Sequence, residues 1–570
     1  MKVIQSHNRQ FELALQFKYN TKLVDICRKL KDDFGWDNFR YDPDIKVWIF
    51  NFNLLESVLR YFKGVSIHIP DWVYNKLDEV KEEEEQEIAE LEALKSAELD
   101  IDLPLFRYQK IGANFAINLK KVMINDEMGL GKSLQAIAVM HYLGLKDVLI
   151  ICPNSLKANW QQEIKKWTGK IAYIVDKRFI PGYIHIINYE KLIRWAIKDE
   201  KGKLDLPPHI KNKWQLLIVD ESHYIKEAKS KRTKLVLKIA EATERVLLLT
   251  GTPMLNRPKE LITQIHAIDR LKTDFGGVTK FKERYCNAYF GSYGYDDKGA
   301  GNLSELKRKL MRFSIRRMKK EVLEDLPDKM VHTTILEMPD PKAYKDVENG
   351  CSSSFYEVTQ QHQEFYKGFA GKSAEEKAEM IVSRQNTKEY RALTSNVLVL
   401  IEKLKQEAAR QKLLASKYIF EEYIHNNSKA IIFTTHKKIA YSLHELYKDK
   451  SVVITGDVPA PDRMRYINQF QNDNDTLFFI ATMKTAGVGF NLTAASEVLF
   501  MELGWTPAEH KQCEDRAWRI GQKNNVNCNY LIMKDTIDED IVEILHNKSE
   551  IIEGTIEGKL LSKMILKFMK

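Results

Sequence analysis

The sequence predicts an α/β protein with two parallel-sheet lobes, helical insertions and a small α+β module at its start. Three observations carry that prediction. Short continuous apolar runs alternate with helical stretches, which is the pattern of strands covered on both faces. The runs come in two series, KVMIND (121–126), DVLIICP (147–153), YIHIINYE (183–190), WQLLIVDE (214–221) and RVLLLTGTP (245–253), then KAIIFTTH (429–436), SVVITGD (451–457), TLFFIAT (476–482), EVLFMEL (497–503) and VNCNYLIM (526–533). Before the first series lies a stretch of different character, mixed strand and helix over 1–75 and then strongly acidic over 76–100.

Within 1–75, LALQFKYNTKLVDICRKL reads as a strand followed by an amphipathic helix. YDPDIKVWIFNF places a turn at Asp42-Pro43 ahead of an alternating aromatic run. Residues 78–100 hold eleven acids and two lysines in a helix-forming composition, which reads as a solvated helical linker. The first lobe is expected over 101–265 and the second over 411–545. The charged, mostly helical segment 266–410 is too long for a plain connection and is expected to form an inserted helical subdomain. A helical tail is expected over 546–570.

Composition narrows the function classes. The chain of 570 residues is 44% apolar and 29% charged, ordinary for a globular protein with ample core. No run approaches the roughly 18 apolar residues of a membrane helix, so no membrane role is expected. MKVIQSHNRQ has no apolar leader segment, and the six cysteines lack CxxC spacing. An intracellular, reducing location is expected, cytoplasm or nucleoid in a bacterial or viral setting and nucleus in a eukaryotic one. The net charge is +9 overall, and setting aside the acidic stretch leaves +18 on the remainder. That surplus suits nucleic-acid binding and equally suits a plain lysine-rich surface.

In α/β lobes the chemistry sits at strand C-termini. KVMIN runs into DEMGLGKS and then into the helical SLQAIAVMHYL. Strand, glycine turn, Lys-Ser and helix form a phosphate-loop arrangement. The candidate nucleotide-binding residues are therefore Asp126, Glu127, Met128, Gly129, Leu130, Gly131, Lys132 and Ser133. The two glycines let backbone amides face phosphate oxygens at a helix N-terminus, Lys132 can reach the β- and γ-phosphates, and the Ser133 hydroxyl can ligate Mg2+. Asp126 stands where the usual loop begins with glycine.

Asp220 and Glu221 end the apolar strand LLIV about ninety residues further on. Acidic pairs after strands are also common as caps. Beside a phosphate loop, Asp220 can hold Mg2+ and Glu221 can orient and deprotonate water. Gln109, just upstream, can pair with an adenine edge, with Phe106 or Tyr108 near the base; the same residues also suit ordinary helix surface and core. In the second lobe, Arg516 and Arg519 lie three apart, on one helical face, and could stabilise a transferring phosphoryl group or form surface ion pairs.

The blocks FRYQ, DEMGLGKS, ICPNSLKANWQQE, DESH, LLLTGTP, IIFTTH, GVGFNLTAA and QCEDRAWRIGQ occur in one order over about 430 residues. In this the chain resembles Swi/Snf-type members of helicase superfamily two. RFSIRRMKKEVLEDLPDK (312–329) resembles that family's basic linker. GTPMLNRPKEL, FKERYCNAYFG and AGNLSELKRKL are similar to the annealing-helicase subgroup, and QFKYN with YDPDIKVWIFNF resembles its HARP (HepA-related protein) substrate-recognition module. Ser133, Lys484 and Trp518 depart from the commoner threonine, arginine, and histidine or tyrosine.

The resemblance implies two RecA-like lobes closing on ATP and Mg2+, with Lys132, Glu221, Arg516 and Arg519 catalytic, and Ser133 and Asp220 at the metal. It implies a DNA grip through Ser155, Thr434, His436, Thr482 and Lys484. The basic linker residues Arg316, Arg317, Lys319 and Lys320 would touch DNA or lock the lobes. The implied activity is DNA-dependent ATP hydrolysis driving translocation on duplex, forked or branched DNA, with strand annealing or fork remodelling. A single-strand-binding protein is a candidate partner, and a monomer is expected because no heptad run is present. The competing readings are a strand-separating helicase, a remodeller of protein–DNA complexes and a non-enzymatic DNA-binding scaffold.

Overall fold

The computed structural model describes the chain apart from residues 6–11, 35–38, 52–53, 176–178, 180–181, 201, 212, 252–253, 255–256, 292–293, 298, 362–368, 370, 374–375, 378–379, 381–387, 487–490 and 547–570. The expected tail and the GVGF of the second-lobe glycine turn lie outside the described residues. The chain forms two compact units, Met1–Ser96 and Ala97–Lys570.

The first unit is an antiparallel sheet of β1 (Lys2–Gln5), β2 (Glu12–Gln16), β3 (Phe39–Asp42) and β4 (Val47–Asn51) in the order β1-β2-β4-β3. The expected strand-then-helix and aromatic strand both form, as β2 with helix Thr21–Phe34 and as β4. Asp42 makes the turn by accepting from the amides of Asp44 and Ile45. Leu13, Leu15, Phe39, Trp48 and Phe50 pack with Cys27 and Leu30 from the first helix. The acidic segment belongs to helix Asp71–Ser96, which is continuous with the module and seats Val73 in its core. The structure therefore puts no break at residue 75.

In the second unit, all five strands of the first apolar series form. β5 (Lys121–Ile124), β6 (Val148–Cys152), β7 (Ala172–Ile174) and β8 (Ile184–Asn188) come first; β9 (Ile197–Lys198) and β10 (Leu204–Asp205) make a small side hairpin. β11 (Leu216–Asp220) and β12 (Arg245–Leu249) follow, and β13 (Tyr289–Gly291) pairs with β14 (Gly294–Asp296). The main sheet is parallel, ordered β15-β5-β12-β11-β6-β8-β7, with β15 (Ser314–Ile315) on its edge. β6, β8 and β11 are buried along their whole length, which is why they read as unbroken apolar runs.

The second lobe is a parallel sheet of β16 (Lys329–Leu336), β17 (Ala430–Thr434), β18 (Ser451–Ile454), β19 (Phe478–Thr482), β20 (Glu497–Phe500) and β21 (Val526–Met533), ordered β16-β21-β20-β17-β19-β18.

Segment 266–410 is divided between the lobes. Leu271, Phe275, Phe281, Tyr285, Leu306 and Phe313 join the first lobe's core, and β15 extends its sheet. β16 extends the second sheet, and Tyr344, Phe355, Val397, Ile401 and Leu404 pack into that lobe. The crossing between lobes is the short stretch 316–328. The charged composition hid this, because the helices cover the lobes with narrow apolar stripes and expose the rest.

Candidate nucleotide site between the lobes

The phosphate loop follows β5, and Asp220 ends β11, with β12 between them. This order brings Lys132 and the acidic pair over one sheet edge. Gly129 and Gly131 take φ of 85° and 73°, a left-handed conformation that favours glycine. Helix Lys132–Tyr142 begins immediately after. A Cβ at Gly131 would fall 2.4 Å from Gln109 Nε2 and one at Gly251 would fall 2.5 Å from Met128 Cγ, so both side chains pack closely around the loop.

Lys132 Nζ donates to the main-chain oxygens of Asp126 (2.8 Å) and Glu127 (3.4 Å). Burial lowers its pKa, opposed by Glu221, Asp126 and Asp220. Asp220 accepts from Trp160 Nε1 at 2.8 Å and from the Glu221 amide at 3.0 Å. Burial and the adjacent Glu221 push Asp220 up. Burial also pushes on Glu221, but His223 at 3.2 Å, Lys132 and Arg516 outweigh it and hold Glu221 below its usual value. Glu221 therefore stays ionised. It sits at φ 52°, ψ 54°, a left-handed conformation rare for a side-chain-bearing residue.

Lobe two closes the other side. Its helix Pro507–Glu514 ends before the arginines, so the expected shared helical face is corrected: Arg516 and Arg519 lie in the tight turn that follows. The amides of Arg516 and Ala517 reach back three residues, to Cys513 and Glu514. A Cβ placed on Gly129 would lie 3.1 Å from Arg519 Cβ, so the arginine-bearing turn packs directly on the phosphate loop. Burial lowers both arginines, Arg519 to about 10, which leaves Arg519 charged near neutrality.

The linker joins these parts. Lys319 Nζ pairs with Asp515 at 2.6 Å, donates to the Trp518 carbonyl and lies 4.3 Å from the Trp518 ring centroid. Glu127 accepts from the Lys319 amide at 2.8 Å and pairs with Lys511 of lobe two at 2.6 Å. Trp518 donates to the Pro327 carbonyl at 2.7 Å, so its departure from the usual residue supplies a brace. Lys511, Asp515 and Trp160 were missed as site residues; the acids just before Arg516, set against the basic linker, were the available signal.

Three of the expected site residues have partners within the protein. Gln109 donates to the Leu130 carbonyl at 3.1 Å and accepts from the Phe106 amide at 3.0 Å, so in this structure its amide braces the loop and caps its own helix. Phe106, 47% exposed, is the accessible aromatic beside it. Arg317 is paired with buried Asp126 and is largely covered. His436 has both ring nitrogens on carboxylates, Glu502 and, at 2.7 Å, Glu402.

The other expected DNA contacts differ in access. Thr434 is fully buried and donates to the His436 carbonyl at 3.3 Å, and Thr482 is bound to Thr485 at 2.8 Å. Ser155 is half-buried in the turn after β6, while Lys484 and Arg316 are exposed. Met128, Gly129 and Ser133 are half-buried along the loop, and Leu130 is fully buried beneath it. Among the described residues no cluster of three metal-ligating side chains exists. Ser133 and Asp220 suit Mg2+, an ion that takes one or two protein oxygens and completes its shell with phosphates and water.

The SNF2-related domain matches residues 108–413, more than half of the chain, and the helicase conserved C-terminal domain matches 411–521. The chain belongs to the SNF2-related family. Together the two domains make residues 108–521 a helicase-family ATPase core. The chain is 34% identical over 474 residues to the mouse (Mus musculus) DNA annealing helicase and endonuclease ZRANB3, covering 80% of this chain and 41% of that protein. It is 28% identical over 558 residues to the Xenopus laevis SWI/SNF-related matrix-associated actin-dependent regulator of chromatin subfamily A-like protein 1, covering 94% and 53%. The chain thus spans about half or less of the length of these SNF2 relatives. A Sulfolobus solfataricus SWI2/SNF2 ATPase core in complex with dsDNA aligns at 24% identity and a TM-score of 0.36, over 82% of this chain and 96% of that one. Among the described residues, no helix of this SNF2-family protein is long and apolar enough to cross a membrane.

Proposed function

We propose that this protein is an ATP-driven DNA translocase that rewinds separated strands or remodels forks and junctions, with residues 1–96 helping to recognise the substrate. The observation that carries the reading is the packing of the Arg519 turn on Gly129, opposite Lys132 and Glu221. ATP would lie between them. Glu221 takes a proton from water, the water oxygen attacks the γ-phosphorus, and ADP leaves. Ser133 and Asp220 would hold Mg2+, which would supply charge neutralisation of the phosphates. Lys132, Arg516 and Arg519 then face the charge that spreads over the transferring group.

Closing and opening of the lobes on that cycle would move the DNA grip. Lys484, Arg316 and Ser155 are accessible for phosphate contacts, which makes the grip sequence-tolerant and sensitive to salt. Annealing is favoured over strand separation by the similarity to proteins named as DNA annealing helicases. The test is a plasmid bubble coated with single-strand-binding protein beside a tailed duplex. ATP-dependent closing of the bubble without release of the tailed strand is expected. Release of that strand with no bubble closing would mark a strand-separating helicase.

A further inference from the structure

The phosphate loop opens on a carboxylate where glycine is usual, and nothing assigned so far accounts for it. Asp126 is fully buried and lies six residues before Lys132. A bare carboxylate beside a polyphosphate site would repel the ligand the loop must hold.

The linker supplies its counter-charge. β15 runs parallel to β5 and delivers Arg317 to Asp126. The Arg317 amide donates to Oδ1 at 3.1 Å, Nε to Oδ1 at 2.9 Å and Nη2 to Oδ2 at 2.5 Å. Gln135, on the helix that follows the loop, donates to Oδ2 at 2.8 Å and accepts from Arg317 Nη2 at 3.0 Å. Arg317 Nη1 donates to the Tyr108 carbonyl, and the Tyr108 hydroxyl donates to Leu130 O in the loop at 3.1 Å. The Glu127 amide donates to the Arg317 carbonyl at 2.9 Å. Space is reserved for this network: a Cβ on Gly112 would fall 1.9 Å from Gln135 Oε1 and 2.7 Å from Arg317 Nη2.

We infer that Arg317 is a positioning residue for the nucleotide, acting through Asp126. It cancels the Asp126 charge, so that phosphates meet loop amides and Lys132. It also fixes the peptide whose oxygen holds Lys132 at rest. Arg317 lies two residues before Lys319, which lobe two grips through Asp515, so loop geometry is tied to the path of the linker. The inference rests on reading 126–133 as an ATP loop.

The test measures binding of a fluorescent ATP analogue with Mg2+ to the full chain, and turnover at saturating ATP, for Arg317→Met, Arg317→Lys, Asp126→Gly and the double variant Arg317→Met/Asp126→Gly. Arg317→Met should weaken binding about ten-fold or more, because it strands a buried charge. Arg317→Lys, a point cation in place of a fork, should fall between. The double variant removes both charges and places at 126 the glycine of the general loop pattern, so it should recover to within about three-fold of wild type in affinity and turnover. If Arg317→Met does not fold, Arg317→Lys and the double variant still separate the two outcomes. Wild-type affinity in Arg317→Met or Arg317→Lys, or a double variant no tighter than the single one, would overturn the inference. Failure of the wild type itself to bind the analogue would instead overturn the loop reading beneath it.

Discussion

Lys319 of the linker and Asp515 of lobe two form an ion pair at 2.6 Å with side chains 0% and 1% exposed. Asp515 immediately precedes Arg516 and lies four residues before Arg519. The pair therefore ties the crossing between lobes to the turn that carries the arginines.

Removing one partner of such a pair leaves an uncompensated buried charge, which costs about 3–5 kcal/mol. Lys319→Ala is expected to lower the melting temperature and to reduce ATP turnover at saturating nucleotide. Lys319→Met with Asp515→Leu removes both charges at similar volume and should regain stability. Thermal melts of the three proteins check this.

The two sides of the nucleotide site should separate kinetically. Lys132→Ala should abolish ATP binding. Glu221→Gln should bind ATP normally while turnover falls about 100-fold or more, because the base is lost and the shape is kept. Equilibrium nucleotide binding and single-turnover hydrolysis distinguish the two.

His436 gives a pH signature. Burial pulls its pKa down, but Glu402 and Glu502 outweigh burial and raise it to about 9. The folded protein thus holds a proton that the unfolded chain releases near 6.5. This stabilisation is complete below pH 6.5 and is lost as pH rises through about 9, a change of roughly 3 kcal/mol at most. Urea unfolding at pH 6.5 and 9 should show the loss in wild type. His436→Gln should be weaker at pH 6.5 and flatter across the range.

Much of this was legible in the sequence, for physical reasons. Parallel strands buried on both faces write themselves as unbroken apolar runs, so β5, β6, β8, β11 and β12 could be read directly. The loop glycines and Lys132 were legible because phosphate binding demands that spacing. The division of 266–410 was not, since a two-residue strand such as β15 has no periodicity to detect. The linker cations were also ambiguous. Arg317 and Lys319 look like DNA contacts until the fold places Asp126 and Asp515 beside them, and a charge cannot be assigned to solvent or partner before its neighbour is known. His436 and Thr434 were ambiguous for a related reason: carboxylates from distant segments, Glu402 and Glu502, hold the His436 ring, and Thr434 donates to the carbonyl two residues along its own chain.

Arg519→Ala tests the central claim most directly, by nucleotide binding and ATP turnover with and without duplex, forked and single-stranded DNA. Wild-type turnover should rise with DNA, and Arg519→Ala should bind ATP as wild type does while its stimulated turnover drops about 1000-fold. Turnover in Arg519→Ala equal to wild type, or a wild-type rate indifferent to every DNA, would contradict the account.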